Sequence, residues 1–155
     1  MYSNATAWTS WVAVSEWGDN SDGLIIADHE CNEYYTAKRY NALAHFSKFV
    51  PVGSKVISNE KDVNDRVAWK IKKQMGFVIL NKTNCASFLT PDGSIVVVIV
   101  NDDAGCTFNF EGISGRDNLK IYTTNDQYDL KLTYDGEYKQ EVEIPGLSIT
   151  TLIFS

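Results

Sequence analysis

The sequence predicts a mainly β fold: an antiparallel β-sandwich over residues 51–155, preceded by one βα unit in residues 1–50. Three observations carry that prediction. From Ser54 onward, short runs of Val, Ile, Phe, Tyr and Thr alternate with turn clusters at the roughly 8–12-residue spacing of a sandwich. A hairpin signal, Pro91-Asp92-Gly93, sits between two apolar runs, where proline pre-sets φ and Asp-Gly supplies the turn. Before Ser54, the stretch YYTAKRYNALAHFSKFVPVGS (34–54) has the spacing of an amphipathic helix with a hard stop.

Taken in order, residues 7–14 (AWTSWVAV) are rich in Trp and Val and read as a strand. A polar stretch from Glu16 to Asp22, closed by Gly23, reads as a loop, and Leu24-Ile25-Ile26 forms a short apolar segment. A helix is expected over about 32–50, with Asn32 as N-cap, Glu33 in the first turn and Lys48 near the negative end of the dipole. Its apolar face is Tyr35, Ala42, Leu43, Phe46 and Phe49 or Val50, and Pro51 and Gly53 end it. A single βα unit has no sheet of its own to cover, so residues 1–50 should belong against something beyond this sequence.

The expected sandwich strands are 55–58, 67–72, 77–80, 86–90, 95–100, 107–110, 119–123, 130–133, 141–144 and 149–154. The run Ile95–Val100 is apolar on both pleat faces, which predicts a central strand covered on both sides. An extra hairpin is expected within 62–84, with Gln74-Met75-Gly76 at its tip.

Composition excludes some functions. Fourteen basic against twenty acidic residues give a net charge of −6, which argues against nucleic acid as a partner. The longest apolar run, Ile95 to Val100, falls far short of the roughly 18–20 residues of a membrane span. The N-terminal MYSNATAW has neither a basic n-region nor an apolar h-region, so no signal peptide is visible. Cys31, Cys85 and Cys106 lack metal-ligand spacing; they read as buried or spare thiols, with one disulfide, Cys85–Cys106, as the alternative. Sequons at Asn4 and Asn81 permit glycosylation of a secreted eukaryotic chain. No cofactor and no metal site is expected: Asp102-Asp103 alone offer too few converging oxygens for Ca²⁺.

The motifs also resemble a known family. His45-Phe46-Ser47-Lys48-Phe49-Val50-Pro51-Val52-Gly53 is similar to the "FSKF-aliphatic-x-x-G" signature of family 30 glycoside hydrolases, which include glucocerebrosidase, glucuronoxylanases and endo-β-1,6-galactanases. FLTPDGSIVVVIVND (88–102) resembles the family's PDG hairpin, and IPGLSITTL (144–152) its closing strand. The resemblance implies that residues 1–50 are the last strand and helix of an incomplete (β/α)8 barrel, and residues 51–155 the side sandwich. A whole barrel takes roughly 250 residues, so the chain would be the C-terminal part of a larger enzyme.

The family is implied to consist of retaining β-glycosidases with two glutamates about 5 Å apart, at the ends of the fourth and seventh barrel strands. Residues 7–14 resemble the eighth strand, so no catalytic residue is expected here and the chain alone should be inactive. The substrate contacts implied are Trp11, Trp17 and Glu16. AWTSW resembles a motif whose second Trp lines the substrate pocket; carried onto this chain that is Trp11, with barrel-interior packing as its alternative. Trp17 is a candidate subsite wall. Glu16, directly after the strand, is a sugar-hydroxyl acceptor or a solvated loop acid, the latter favoured by the general exposure of glutamates. Trp8 and Trp69 read as packing residues. Glu30 and Glu33 read as helix-start charges, and His45 as a structural hydrogen-bonding group.

The loop after residues 7–14 lacks both the Gly-Gly-Pro-Asn element of glucocerebrosidase-like members and the arginine of bacterial glucuronoxylanases. It is closer to endo-β-1,6-galactanase-like members. The implied partners are a β-linked glycan and the upstream barrel, and the implied location is extracellular. The alternative class is a stand-alone β-sandwich that binds carbohydrate or serves a purely structural role.

Overall fold

A computed structural model describes residues 10, 12–16, 22–57, 83–113 and 115–155. Among them the strands are β1 (Val14–Glu16), β2 (Ile25–Asp28), β3 (Glu33–Thr36), β4 (Lys55–Ile57), β5 (Thr83–Leu89), β6 (Ile95–Asn101), β7 (Cys106–Asn109), β8 (Asn118–Thr124), β9 (Lys131–Glu137), β10 (Glu141–Ile144) and β11 (Ser148–Phe154). One helix, α1 (Lys38–Ser47), separates β3 from β4. The fold is mainly β and its large sheet is antiparallel.

That sheet has the order β4-β5-β6-β11-β8-β9. The Pro91-Asp92-Gly93 turn joins β5 to β6 as expected: the Thr90 N–H bonds the Ser94 carbonyl at 2.9 Å, and Gly93 adopts φ 86. The Thr90 hydroxyl donates to Asp92 Oδ1. That bond, followed by the Ser94 N–H, holds the Asp92 carboxyl below its ordinary pKa.

β6 is central, as its apolar character on both faces requires, and its residues divide between two cores. Val97 and Ile99 join Leu119, Ile121, Leu152 and Phe154 on one face, which β10 covers with Val142 and Ile144 and β7 with Cys106 and Phe108. Val96 and Val98 join Ala86 and Phe88 on the other, covered by Phe46, Phe49 and Val50 from α1 and its C-terminal turn. The six-stranded sheet thus lies between a two-stranded sheet and a helix. The core clusters include Ile99 and Leu152, both fully buried.

The region before Ser54 departs from expectation. Residues 33–36 form a strand, not the first turn of a helix, and pair antiparallel with β2 from Ile25↔Thr36 to Asp28↔Glu33. Asn32 is not an N-cap; it takes φ 54 in the β2–β3 turn, a conformation asparagine tolerates better than most residues. Asp28 Oδ1 accepts the Glu30 and Cys31 N–H groups and closes that turn. Tyr34, Tyr35 and Thr36 are strand-favouring residues, and β2 offers them a ladder that a helix would forgo. The helix N-cap is Ala37, so Glu30 and Glu33 do not serve a helix dipole. Tyr35, placed on the helix face by its spacing, lies instead on β3 and is 44% exposed.

The C-terminal stop is as expected. The Val50 N–H closes on Phe46, Ser54 bonds back to Pro51, and Gly53 takes φ 90. β1 runs parallel to β2, with Val14 opposite Ile25 and Glu16 opposite Ala27. Tyr122 lies in β8, within the strand expected over 119–123, and Tyr134 lies in β9, one residue beyond the strand expected over 130–133. The cysteines carry thiols, and no disulfide joins Cys85 to Cys106. The extra hairpin expected within 62–84, Trp8, Trp69 and both sequons lie outside the described residues, apart from Thr83 and Asn84 at the start of β5.

Candidate functional site

Parallel pairing sends the C-terminal ends of β1 and β2 to the same edge of the small sheet. Glu16 is the last residue of β1, and His29 directly follows β2. Glu16 Oε1 lies 3.4 Å from His29 Nε2, and each side chain is 74% exposed. Backbone geometry fixes both anchors. The Gly23 N–H donates to Ser15 Oγ at 3.0 Å, and a Cβ at Gly23 would lie 2.6 Å from the Ser15 backbone nitrogen. The Asp28 turn holds His29 on the other strand.

Glu16, expected in the loop after a strand over 7–14, is instead the last residue of β1, with an imidazole beside it that spacing alone does not reveal. Trp11 and Trp17 lie outside the described residues. His29 stands thirteen positions from Glu16 in the sequence, and only the parallel register of β1 and β2 brings the two together.

A second constellation joins α1 to the large sheet. His45 is fully buried; its Nδ1 lies 2.7 Å from Thr151 Oγ1 and its Nε2 2.9 Å from Thr124 Oγ1. A neutral imidazole donates through one nitrogen and accepts through the other, and each hydroxyl can take the complementary role. Burial lowers the His45 pKa to about 4, so the ring is neutral at pH 7. Phe49 packs 4.4 Å from the Tyr122 ring, and Phe46 meets Phe88 edge-on at 6.4 Å. Lys38 Nζ donates to the Asn125 carbonyl at 2.8 Å and pairs with Asp129 at 2.7 Å. The His-Phe-Ser-Lys-Phe motif is thus a docking device between helix and sheet, and His45 has the structural role its position suggests.

An open depression of about 580 Å³ lies among the turns after β6, β8 and β10. Asp102, Asp103, Asp126, Asn125, Gln127 and Leu147 line it. Among the described residues, no group of three or more His, Cys, Asp or Glu side chains is placed to hold a metal ion. No helix among them is long and apolar enough to cross a membrane.

Comparison with known proteins identifies the family. Residues 65–152, more than half the chain, match the family model described as the glycosyl hydrolase family 30 beta sandwich domain. Among solved structures, the catalytic domain of GH30 xylanase C from Talaromyces cellulolyticus matches with TM-score 0.68 at 18% identity over 94% of this chain. A conserved exported protein from Bacteroides fragilis matches with TM-score 0.66 at 20% identity over 91%. A GH30 endoxylanase from Clostridium papyrosolvens C71 matches with TM-score 0.57 at 19% identity over 77%. This chain spans only 30%, 28% and 28% of those three structures, in the same order. At such identities the structural matches show shared fold, while the domain match shows kinship. The chain belongs to glycosyl hydrolase family 30, and its sandwich is that family's β-sandwich domain.

Proposed function

We propose that this chain is the C-terminal part of a retaining β-glycoside hydrolase, in which residues 1–50 complete a (β/α)8 barrel and residues 51–155 brace it. The observation that carries this reading is an imbalance of burial. In β1, β2 and β3 only Ile26 is buried, and Val14 (54%), Tyr34 (77%) and Tyr35 (44%) are exposed, whereas β5, β6, β8 and β11 of the large sheet each bury three residues or more. Uncovered apolar side chains next to a complete core mark a surface built to be covered. Two of the solved structures match more than nine-tenths of this chain and are more than three times its length, which supports a larger catalytic body as the cover.

In this reading the two catalytic glutamates precede Met1 and the chain alone hydrolyses nothing. Trp11, Trp17 and Glu16 contact a β-linked glycan at the barrel mouth, where the loops after barrel strands build active sites. The docking of α1 through His45, Lys38 and the two phenylalanines fixes that mouth against the sandwich. An extracellular location suits a polysaccharide-degrading enzyme, and one structural relative is described as exported.

The test compares the purified 155-residue chain with the same chain joined to an upstream family 30 barrel portion, assayed on aryl-β-glycosides. The joined protein is expected to hydrolyse them and the chain alone is not. Hydrolysis by the chain alone would refute the reading. An inactive joined protein, with an isolated chain that retains oligosaccharides, would favour a non-catalytic binding module.

A further inference from the structure

We propose that α1 and the turn between β8 and β9 form an acid-sensitive latch: protonation of His45 loosens the helix and frees the turn while the rest of the large sheet stays closed. This holds whether or not the chain completes a barrel. The helix grips the turn at two points. His45 Nε2 lies 2.9 Å from Thr124 Oγ1, which also accepts the Leu130 N–H at 2.9 Å. Lys38 Nζ donates to the Asn125 carbonyl at 2.8 Å, to the Tyr128 carbonyl at 3.4 Å and to Asp129 Oδ1 at 2.7 Å. The gripped chain is strained. Leu130 takes φ 50, a conformation that a bulky side chain rarely adopts and that surrounding structure must hold. Its N–H bond to Thr124 is that hold, and His45 backs Thr124 from the other side. Asn125, Asp126 and Gln127 of the same turn wall the open depression, so an opening of the latch reshapes it.

His45 is the sensor because its surroundings accept only the neutral ring. It is fully buried, and both its partners are hydroxyls, those of Thr151 and Thr124. A neutral imidazole can accept one hydroxyl hydrogen; a protonated one accepts none. Nor does a counter-charge reach it from the elements packed there. α1 itself carries Lys38, Arg39 and Lys48, all cations, with Lys48 over the Phe49 and Tyr122 rings. β11 has no ionisable residue, and on β8 Lys120 is paired with Asp135 at 3.5 Å. Glu33 stands at the end of β3 away from the helix, and Asp129 of the turn is taken by Lys38. The closed latch therefore holds the ring neutral, with a pKa near 4, while an open latch returns it to water and about 6.5. Below pH 6.5 the open state binds a proton that the closed state excludes, so acid favours opening. The half-exposed Lys38–Asp129 pair adds too little to resist it.

The test is native-state amide hydrogen exchange of the 155-residue chain, resolved by NMR in a series of low urea concentrations at pH 7 and pH 5. After correction for intrinsic exchange rates, the Tyr128 and Leu130 amides should exchange through an opening nearly insensitive to urea. Their protection should fall about tenfold from pH 7 to pH 5, under the ceiling of about twentyfold that the two pKa values set. Amides of β6 and β11 should stay the more protected at both pH values. His45→Gln keeps a donor and an acceptor without titrating, so its turn should show no such fall. Turn amides that follow urea as steeply as those of β6 would mean that acid only unfolds the whole chain, and would overturn the proposal. So would turn protection that is unchanged at pH 5, or an equal fall in His45→Gln. The urea and pH response of the wild type decides alone if that variant does not fold.

Discussion

His45 concentrates the stability of the helix–sheet junction in one side chain. Replacing it with alanine removes an imbedded ring and two short hydrogen bonds, and leaves hydroxyls of Thr151 and Thr124 facing the void. Thr124 Oγ1 still accepts the Leu130 N–H, so the Thr151 hydroxyl bears most of the loss. An unsatisfied buried polar group costs about 1–3 kcal/mol, and lost packing adds to it, giving about 3–4 kcal/mol for His45→Ala. The pH dependence is a separate signature. The folded pKa, about 4, lies below the ordinary 6.5. Between those values the unfolded chain binds the proton and the folded chain does not, so stability is fully present above pH 6.5. It is lost as pH falls toward 4, with a slope of at most about 1.4 kcal/mol per pH unit and a total near 3 kcal/mol. Urea unfolding at steps from pH 7.5 to 4, on wild type and His45→Gln, reads it directly. Glutamine keeps a donor and an acceptor but does not titrate, so the wild type should lose about 3 kcal/mol more than the variant across that range. Parallel losses in the two proteins would refute the reasoning.

Three further outcomes are expected. Asn101→Ala should lower stability by about 2–4 kcal/mol in urea unfolding, because the buried Asn101 Nδ2 donates to the Ala104 and Pro145 carbonyls, both at 2.9 Å. Gly146→Ala should cost about 1–3 kcal/mol by the same measurement, since its Cβ would lie 2.6 Å from the Asp103 carbonyl oxygen and within reach of the Gly105 backbone. Lys38→Ala should change global stability by less than about 1 kcal/mol, because the Lys38–Asp129 pair is more than half exposed. It should nonetheless speed amide hydrogen exchange in the first turn of α1, where Lys38 ties the helix to the turn between β8 and β9.

Legibility in the sequence followed the range of the interactions. The β5–β6 hairpin was readable because Pro91, Asp92 and Gly93 impose their turn through bonds spanning four residues. The central place of β6 was readable because four consecutive apolar residues, Val96 to Ile99, can be buried only if both pleat faces are covered. The β2–β3 hairpin was not readable. Glu33 to Thr36 have enough helical periodicity to extend α1 on paper, and their strand state depends on Ile25 and Ile26 as partners. Even so, Asn32 and the Asp28 turn carried a local hint, and the pair Tyr34-Tyr35 favours a strand over a first helical turn. The sequence put Glu16 in a loop after a strand rather than at the end of β1, and its approach to His29, which depends on the parallel register of β1 and β2, was not legible.

By itself the sequence determined a mainly β chain, turns such as Pro91-Asp92-Gly93, the Pro51–Gly53 turn that follows α1 and the motifs of its family. These are properties of neighbouring residues, settled by backbone sterics and the period of apolar side chains. Tertiary structure alone decided the strand order, the two-sided cover of β6, the bonding of His45 to threonines 79 and 106 positions away, and the meeting of Glu16 with His29. Each of those needs a partner distant in the chain, and which partner arrives depends on the burial of the whole sheet rather than on any local preference.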